Sequence, residues 1–387
     1  MRWTAPSPHS TSMARAGSSY SKRSARTRSS SLITGARIAG RGAILGRAVK
    51  VLILAPFDAA ELGRLRGVAE AVHESWVDER RMHSPDELAE RVVAGGFDAV
   101  VVEAEFVTRD VLEAAPGLRV VASARGKPVN VDLAAATELG RVVLGTPGRN
   151  AESVADLCMA MLLDRVRHIS AAARLVREGG WVVGLDDDSL VPYVRFRGVE
   201  LAALRLGLLG FGAVARALAR RALAFGMAVQ AHDPFVDAAV LEEHGVTPRS
   251  LDELLASSDV LSVHVERTPQ TVGMLGADRL RSLPRGAILL NTARPQVVDQ
   301  DAIVALVAEG HLAAAALDVV APEPLPAGHP LLGDDRILVL PHIGGATHDV
   351  VRRHSEMIRE DLERLLRGER PLRCANPEVL DAVLPLR

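Results

Sequence analysis

An α/β chain of two parallel sheets, each covered on both faces by helices, is predicted by three observations. Short apolar, β-branched runs alternate with amphipathic segments from Lys50 to Leu340. One of those runs ends in a glycine-rich turn, Gly210-Phe-Gly-Ala-Val-Ala215, that opens a helix. A helical stripe of Val154, Leu157, Cys158, Met161, Leu162, Val166 and Ile169 interrupts the alternation and marks the passage from a first part to a second.

The elements follow in order. Residues 1–48 form a basic tail: the first 57 residues hold ten Lys or Arg and no acid. Its Ser-, Arg- and Gly-rich composition buries too little apolar surface to fold, so it is expected to be disordered. It reads as a start codon assigned too early, with Met13 or a later codon the true start, or as an organelle transit peptide. Residues 49–150 offer strands at Val51 to Ala55, Ala99 to Val102, Leu118 to Ala122 and Val142 to Leu144. Helices are predicted between them around Ala60 to Val72, Pro85 to Ala94 and Val131 to Leu139. That is a flavodoxin-like layer of about 100 residues. After Asn150, a candidate N-cap, residues 151–337 repeat strand and helix through Leu204 to Leu209, Val229 to His232, Val260 to Val265, Ala287 to Thr292 and Ala313 to Val319. A sixth strand is read at Ile337 to Leu340, which suits a Rossmann-type doubly wound sheet. Residues 338–387 carry an amphipathic helix, Asp349 to Leu366, that is expected to return to the first part and leave a cleft between the two.

The glycine turn carries the first chemistry. Gly210 permits a sharp turn after the buried run ending at Leu209, Gly212 lets the backbone approach a pyrophosphate, and Ala215 keeps the helix close to its strand. The helix N-terminus adds unpaired N–H groups and a partial positive charge. Asp233 ends the next strand, 21 residues beyond Gly212. Its carboxylate suits the two ribose hydroxyls and repels a 2′-phosphate, which favours NAD over NADP.

Three ionisable residues follow later strands, where open parallel sheets place their ligands: Arg294, Glu323 and His342. Reduction of a 2-oxo acid calls for each type. Arg presents a planar fork to a carboxylate and a carbonyl, His gives and retakes a proton near neutrality, and Glu orients the imidazole and favours its charged form.

With these residues in view, positions 50 to 375 resemble the D-isomer-specific 2-hydroxyacid dehydrogenase family. The resemblance rests on Thr146-Pro-Gly-Arg-Asn150, the glycine turn, His232-Asp-Pro234, His264 with Thr268-Pro-Gln-Thr271, Asn291-Thr-Ala-Arg294, Ala316-Leu-Asp318, Glu323-Pro324 and Pro341-His342. It implies that Arg294 binds and polarises substrate, that His342 is the acid/base, and that Glu323 is its partner. It further implies that Ala213 and Val214 face the pyrophosphate and that Asp318 holds the nicotinamide carboxamide, with Thr292 and Ala293 lining that pocket. Arg125, Gly126 and Lys127 would meet the substrate, the two cations suiting a phosphate. The implied activity is NAD-dependent hydride transfer at C2 of a small 2-hydroxy or 2-oxo acid, as in phosphoglycerate dehydrogenase or hydroxypyruvate and glyoxylate reductases. The implied assembly is a homodimer that buries the apolar face of the Val154 to Ile169 helix. The sequence departs from the family at Pro295, where Gly is usual, at Val320-Ala321 and at Glu266-Arg267.

Composition narrows the alternatives. A net charge of −2 gives no case for nucleic acid, and no stretch approaches the ~18–20 apolar residues of a membrane span. The two cysteines, Cys158 and Cys374, make neither a disulfide framework nor a metal site, so no metal and a reducing, cytoplasmic setting are expected. A dinucleotide-sensing scaffold akin to a corepressor, binding NADH with little turnover, is the alternative from another functional class.

Overall fold

The computed structural model describes residues 48–181 and 191–384. The basic tail, read above as residues 1–48, lies outside the described residues apart from its last position. The first sheet holds five parallel strands: β1 (Lys50–Ile53), β2 (Glu70–His73), β3 (Ala99–Val102), β4 (Val120–Ser123) and β5 (Val142–Leu144). Their order, β2-β1-β3-β4-β5, is that of a flavodoxin-like layer. The sequence reading missed β2 and ran the preceding helix through it. That helix covers only Ala59–Arg66, and pairing of Leu52 with Val72 draws the next residues into an edge strand.

Local signals set several boundaries. Helix Pro85–Gly95 starts at a capping box, in which the Ser84 hydroxyl accepts from the Glu87 N–H and the Glu87 carboxylate accepts from the Ser84 N–H; Pro85 follows, and Gly96 ends the helix at φ 62°. The stripe through Val166 forms helix Ala151–Arg167, which His168 terminates in the left-handed region at φ 54°, so Ile169 begins a separate helix, Ile169–Arg177. Asn150 occupies the N-cap position without a side-chain hydrogen bond.

The second sheet holds seven parallel strands: β6 (Arg205–Leu209), β7 (Ala228–His232), β8 (Thr247–Pro248), β9 (Val260–Val263), β10 (Ala287–Asn291), β11 (Leu312–Leu317) and β12 (Ile337–Val339). The order β12-β11-β10-β9-β6-β7-β8 places the switch point between β6 and β9, the position at which doubly wound sheets take a dinucleotide. The unpredicted strand β8 is two residues long and includes a proline. The division drawn after residue 337 cuts β12, which pairs with β11 through Val339.

Helix His348–Leu366 then crosses back to the first sheet. Its Ile358, Leu362 and Leu365 pack with Val51, Ile53, Leu62 and Leu65 in one buried cluster. The chain goes on to pair Cys374 with Leu144. The apolar face of helix Ala151–Arg167 is not free for a second copy, because Val154, Cys158, Met161, Leu162 and Val166 are buried with Leu206, Leu208 and Leu218 of the same chain. Among the described residues no helix is long and apolar enough to cross a membrane.

Candidate active site

The dinucleotide turn is built as its glycines require. Strand β6 is buried to Leu209, and Gly210 turns the chain at φ 93°. A Cβ on Gly210 would lie 3.0 Å from the carbonyl carbon and oxygen of His264, so the position needs glycine for conformation and for space. Gly212 is the N-cap of helix Ala213–Ala224 and offers no side-chain cap, leaving the first N–H groups for an outside acceptor. Gly212 and Ala213 are exposed, Val214 is half-buried, and Ala215 is buried against the sheet. Asp233 follows β7, and its carboxylate accepts from the N–H groups of Phe211 (2.8 Å) and Phe235 (2.9 Å). It thereby ties the turn to the neighbouring strand, and each oxygen keeps a second lone pair for a ribose hydroxyl. An uncapped helix start, two side-chain-free positions and an adjacent carboxylate fit a dinucleotide.

Beside this turn, His264 follows β9 with its Nε2 2.8 Å from the Ser262 hydroxyl. Desolvation pushes its imidazole down to about 4, so the ring is neutral at ordinary pH.

Arg294 lies after β10. The strand ends at Asn291, three residues before it, so strand continuation is not what extends Arg294. The Asn291 side chain closes the turn instead, accepting from the Ala293 N–H and donating to the Arg294 carbonyl, both at 3.0 Å. The following Pro295 holds Arg294 extended at φ −144°, ψ 134°. The exposed guanidinium donates to the Ala293 carbonyl at 2.6 Å and has no carboxylate partner among the described residues. Thr292 is partly buried, its hydroxyl 3.3 Å from the Cys158 thiol, which burial pushes up to about 11.

Glu323 and His342 meet across two loops. The Nδ1 of His342 is 3.1 and 3.2 Å from the Glu323 carboxylate oxygens, both side chains being about half exposed. With the carboxylate as acceptor, Nδ1 carries the hydrogen and Nε2 is left to face outward chemistry. His342 sits in the left-handed region at φ 55°, a conformation its surroundings must impose. Asp318 does so: buried at the end of β11, it accepts from the N–H groups of Ile343 and Gly344, both at 2.8 Å. The carboxylate expected at the nicotinamide thus also ties down the histidine loop, each oxygen keeping a further lone pair, and a Cβ on Gly344 would come within 2.9 Å of it. Gln300, which sequence reasoning missed, holds the other loop by donating to the Ala321 carbonyl (2.7 Å) and accepting from the Ala321 N–H (3.0 Å).

The first sheet contributes the loop after β4. Arg125 donates through Nε to the Glu103 carbonyl at 2.6 Å, Gly126 is exposed, and the Lys127 ammonium is paired with the Glu266 carboxylate in the loop after β9. Arg125 thus commits one N–H to a neutral carbonyl and keeps its charge, while Lys127 is held in an ion pair exposed on both sides. Deeper in the crossing between the two sheets, Arg149 pairs with Glu103 (2.7 Å) and donates to Nδ1 of buried His354 (2.7 Å), whose Nε2–H donates to the Pro56 carbonyl (2.7 Å). No sequence signal pointed to this triad, whose members lie up to 298 residues from their partners.

A profile of the family described as D-isomer specific 2-hydroxyacid dehydrogenase, NAD binding domain, matches residues 159–344. Over 274 residues the chain is 38% identical to a glyoxylate reductase of Korarchaeum cryptofilum, covering 71% of this chain and 81% of that one. Over 312 residues it is 35% identical to a D-3-phosphoglycerate dehydrogenase of Archaeoglobus fulgidus, covering 78% of this chain and 57% of the relative. The chain thus spans little more than half of that longer protein. A Thermus thermophilus protein of solved structure is 36% identical and matches with a TM-score of 0.72, covering 84% of this chain and 100% of its own.

Proposed function

Because the chain belongs to the D-isomer-specific 2-hydroxyacid dehydrogenases and carries their NAD-binding domain, with NAD as the cofactor, we propose that it interconverts a small 2-oxo acid and its 2-hydroxy acid. Bound NADH supplies the hydride, from nicotinamide C4 to substrate C2. Gly210, Gly212, Ala213 and Val214 cradle the pyrophosphate, and Asp233 takes the ribose hydroxyls and disfavours a 2′-phosphate. Thr292 and Ala293 line the nicotinamide pocket. Asp318 holds the nicotinamide carboxamide there and, through its two backbone hydrogen bonds, fixes the loop of His342.

Arg294 receives the substrate carboxylate and polarises the carbonyl, its guanidinium having no competing carboxylate among the described residues. His342 gives the proton from Nε2 to the carbonyl oxygen as C2 receives the hydride, and retakes it in the reverse direction. Glu323 holds the Nδ1–H tautomer and offsets the charge of the imidazolium. Gly126, exposed on the loop after β4, offers a backbone N–H to the carboxylate. The observation that carries this reading is the Glu323–His342 hydrogen bond between loops that leave the carboxyl ends of strands in the same parallel sheet as the dinucleotide turn.

We place the substrate among glyoxylate, hydroxypyruvate and similar short acids, a choice supported by the likeness to a glyoxylate reductase. Two free cysteines suit a reducing, cytoplasmic setting. The deciding experiment is NADH oxidation by the purified protein against glyoxylate, hydroxypyruvate, 3-phosphohydroxypyruvate, pyruvate and larger 2-oxo acids, with His342→Ala beside it. Turnover that falls by roughly 10²- to 10⁴-fold in the variant, with NADH affinity kept, supports the assignment. Tight NADH binding without turnover on any acid would replace it with a dinucleotide-sensing scaffold.

A further inference from the structure

Where a loop of the first sheet meets a loop of the second stands a charge pair that the proposed reaction does not use. Lys127 belongs to the loop after β4 of the first sheet and Glu266 to the loop after β9 of the second, and their side chains meet across the gap. Glu266 is the better anchored of the two. The Thr271 hydroxyl donates to its carbonyl and in turn accepts from the Thr268 N–H at 2.8 Å, closing the turn that begins at Glu266. The same segment is stitched to the chain just beyond Arg294, with the Gly273 N–H donating to the Gln296 carbonyl (2.8 Å) and the Leu275 N–H to the Val297 carbonyl (2.9 Å). Glu266 therefore stands on a loop docked beside the one that presents Arg294.

The charges at this edge can be assigned one by one. Glu266 pairs with Lys127 and Glu103 with Arg149, while Arg125, whose Nε–H donates to the Glu103 carbonyl, keeps its charge. Arg294, with no carboxylate partner among the described residues, is the cation that the proposed reaction gives to the substrate carboxylate. A second anionic group drawn to Lys127 would have to displace Glu266 and then share the space with that carboxylate.

Resting on the dehydrogenase reading above, we propose that Glu266 is a specificity-determining residue: it occupies Lys127 and presents a negative charge, reserving the site for 2-oxo acids with a single carboxylate and turning away those with a phosphate or second carboxylate. The test compares kcat/KM for two matched pairs, hydroxypyruvate with 3-phosphohydroxypyruvate and pyruvate with oxaloacetate, in the wild type, Glu266→Gln, Lys127→Met and Arg267→Ala. The wild type should favour the singly charged member of each pair by roughly tenfold or more. Glu266→Gln should narrow that ratio about tenfold, and Lys127→Met, which leaves the carboxylate uncompensated, should widen it. A ratio unmoved by Glu266→Gln overturns the proposal while leaving the dehydrogenase intact. So does a preference for the acid with the second anionic group that vanishes in Lys127→Met or Arg267→Ala, because the mouth is then a cationic subsite. Absence of turnover on every acid removes the dehydrogenase reading and this inference with it.

Discussion

At the scale of single residues, the dinucleotide constellation was legible because it is local: Gly210, Gly212 and Asp233 lie within one strand–turn–helix–strand unit, and their spacing follows from its length. The Glu323–His342 pair was anticipated through family likeness, since nothing in composition brings those two loops together. Ion pairs were illegible, as 43 arginines and 48 acids allow far more pairings than the fold makes. The triad of Arg149, Glu103 and His354 gives a pH prediction. Burial lowers the His354 pKa, and the adjacent Arg149 lowers it further against the opposing pull of the Pro56 carbonyl. A group whose folded pKa is depressed binds fewer protons folded than unfolded, so its contribution is present above about pH 6.5 and is lost as the pH falls below that value. His264 acts in the same direction, over the window from about 6.5 towards 4. The urea midpoint should therefore fall between pH 7.5 and pH 5. His354→Gln, which keeps one donor and one acceptor without a titrating group, should show a shallower fall; an identical pH slope in the variant would rule His354 out as a contributor.

At the scale of elements, the strongly apolar strands were all legible, while β2 and β8 were not. The chain around β2 continues an apolar pattern begun in the helix, and Gly67 at its end keeps an ordinary right-handed conformation, so no left-handed cap marks the stop. Pairing with β1 decides the matter, a non-local effect that outweighs propensity. The turn after β6 shows the reverse case, where sequence and structure agree and a substitution has a defined effect. Gly210→Ala places a side chain at φ 93° and a Cβ 3.0 Å from the His264 backbone. We expect a loss of roughly 2 kcal/mol, a Tm lower by about 4–8 °C, and NADH binding weakened at least tenfold by calorimetry. Wild-type NADH affinity in this variant would mean that the turn does not hold the pyrophosphate.

At the scale of the whole molecule, sequence reasoning placed one feature elsewhere and anticipated the other. The first is where a second copy would dock. The apolar face of helix Ala151–Arg167 is internal, whereas helix Ile169–Arg177 sets Ile169, Ala172, Ala173 and Val176 on one side, with Ile169 54% and Val176 51% exposed. Trp181, Tyr193 and Val194 add further exposed apolar surface nearby in the sequence. We propose that the homodimer forms there. Sedimentation at micromolar concentration should give a dimer, and Ile169→Asp with Val176→Asp a monomer; a wild-type monomer would remove the proposal. The second feature is the return of helix His348–Leu366 to a sheet begun at Lys50. On the ribosome, the sheet face formed by Val51 and Ile53, with Leu65 of the adjoining helix, emerges long before Ile358, Leu362 and Leu365 exist to cover it. Pro56 and its partner His354 are 298 residues apart, roughly 15 to 60 s of synthesis. The portion made first is thus finished last, and through that interval the nascent chain presents an apolar surface of the kind that chaperones hold.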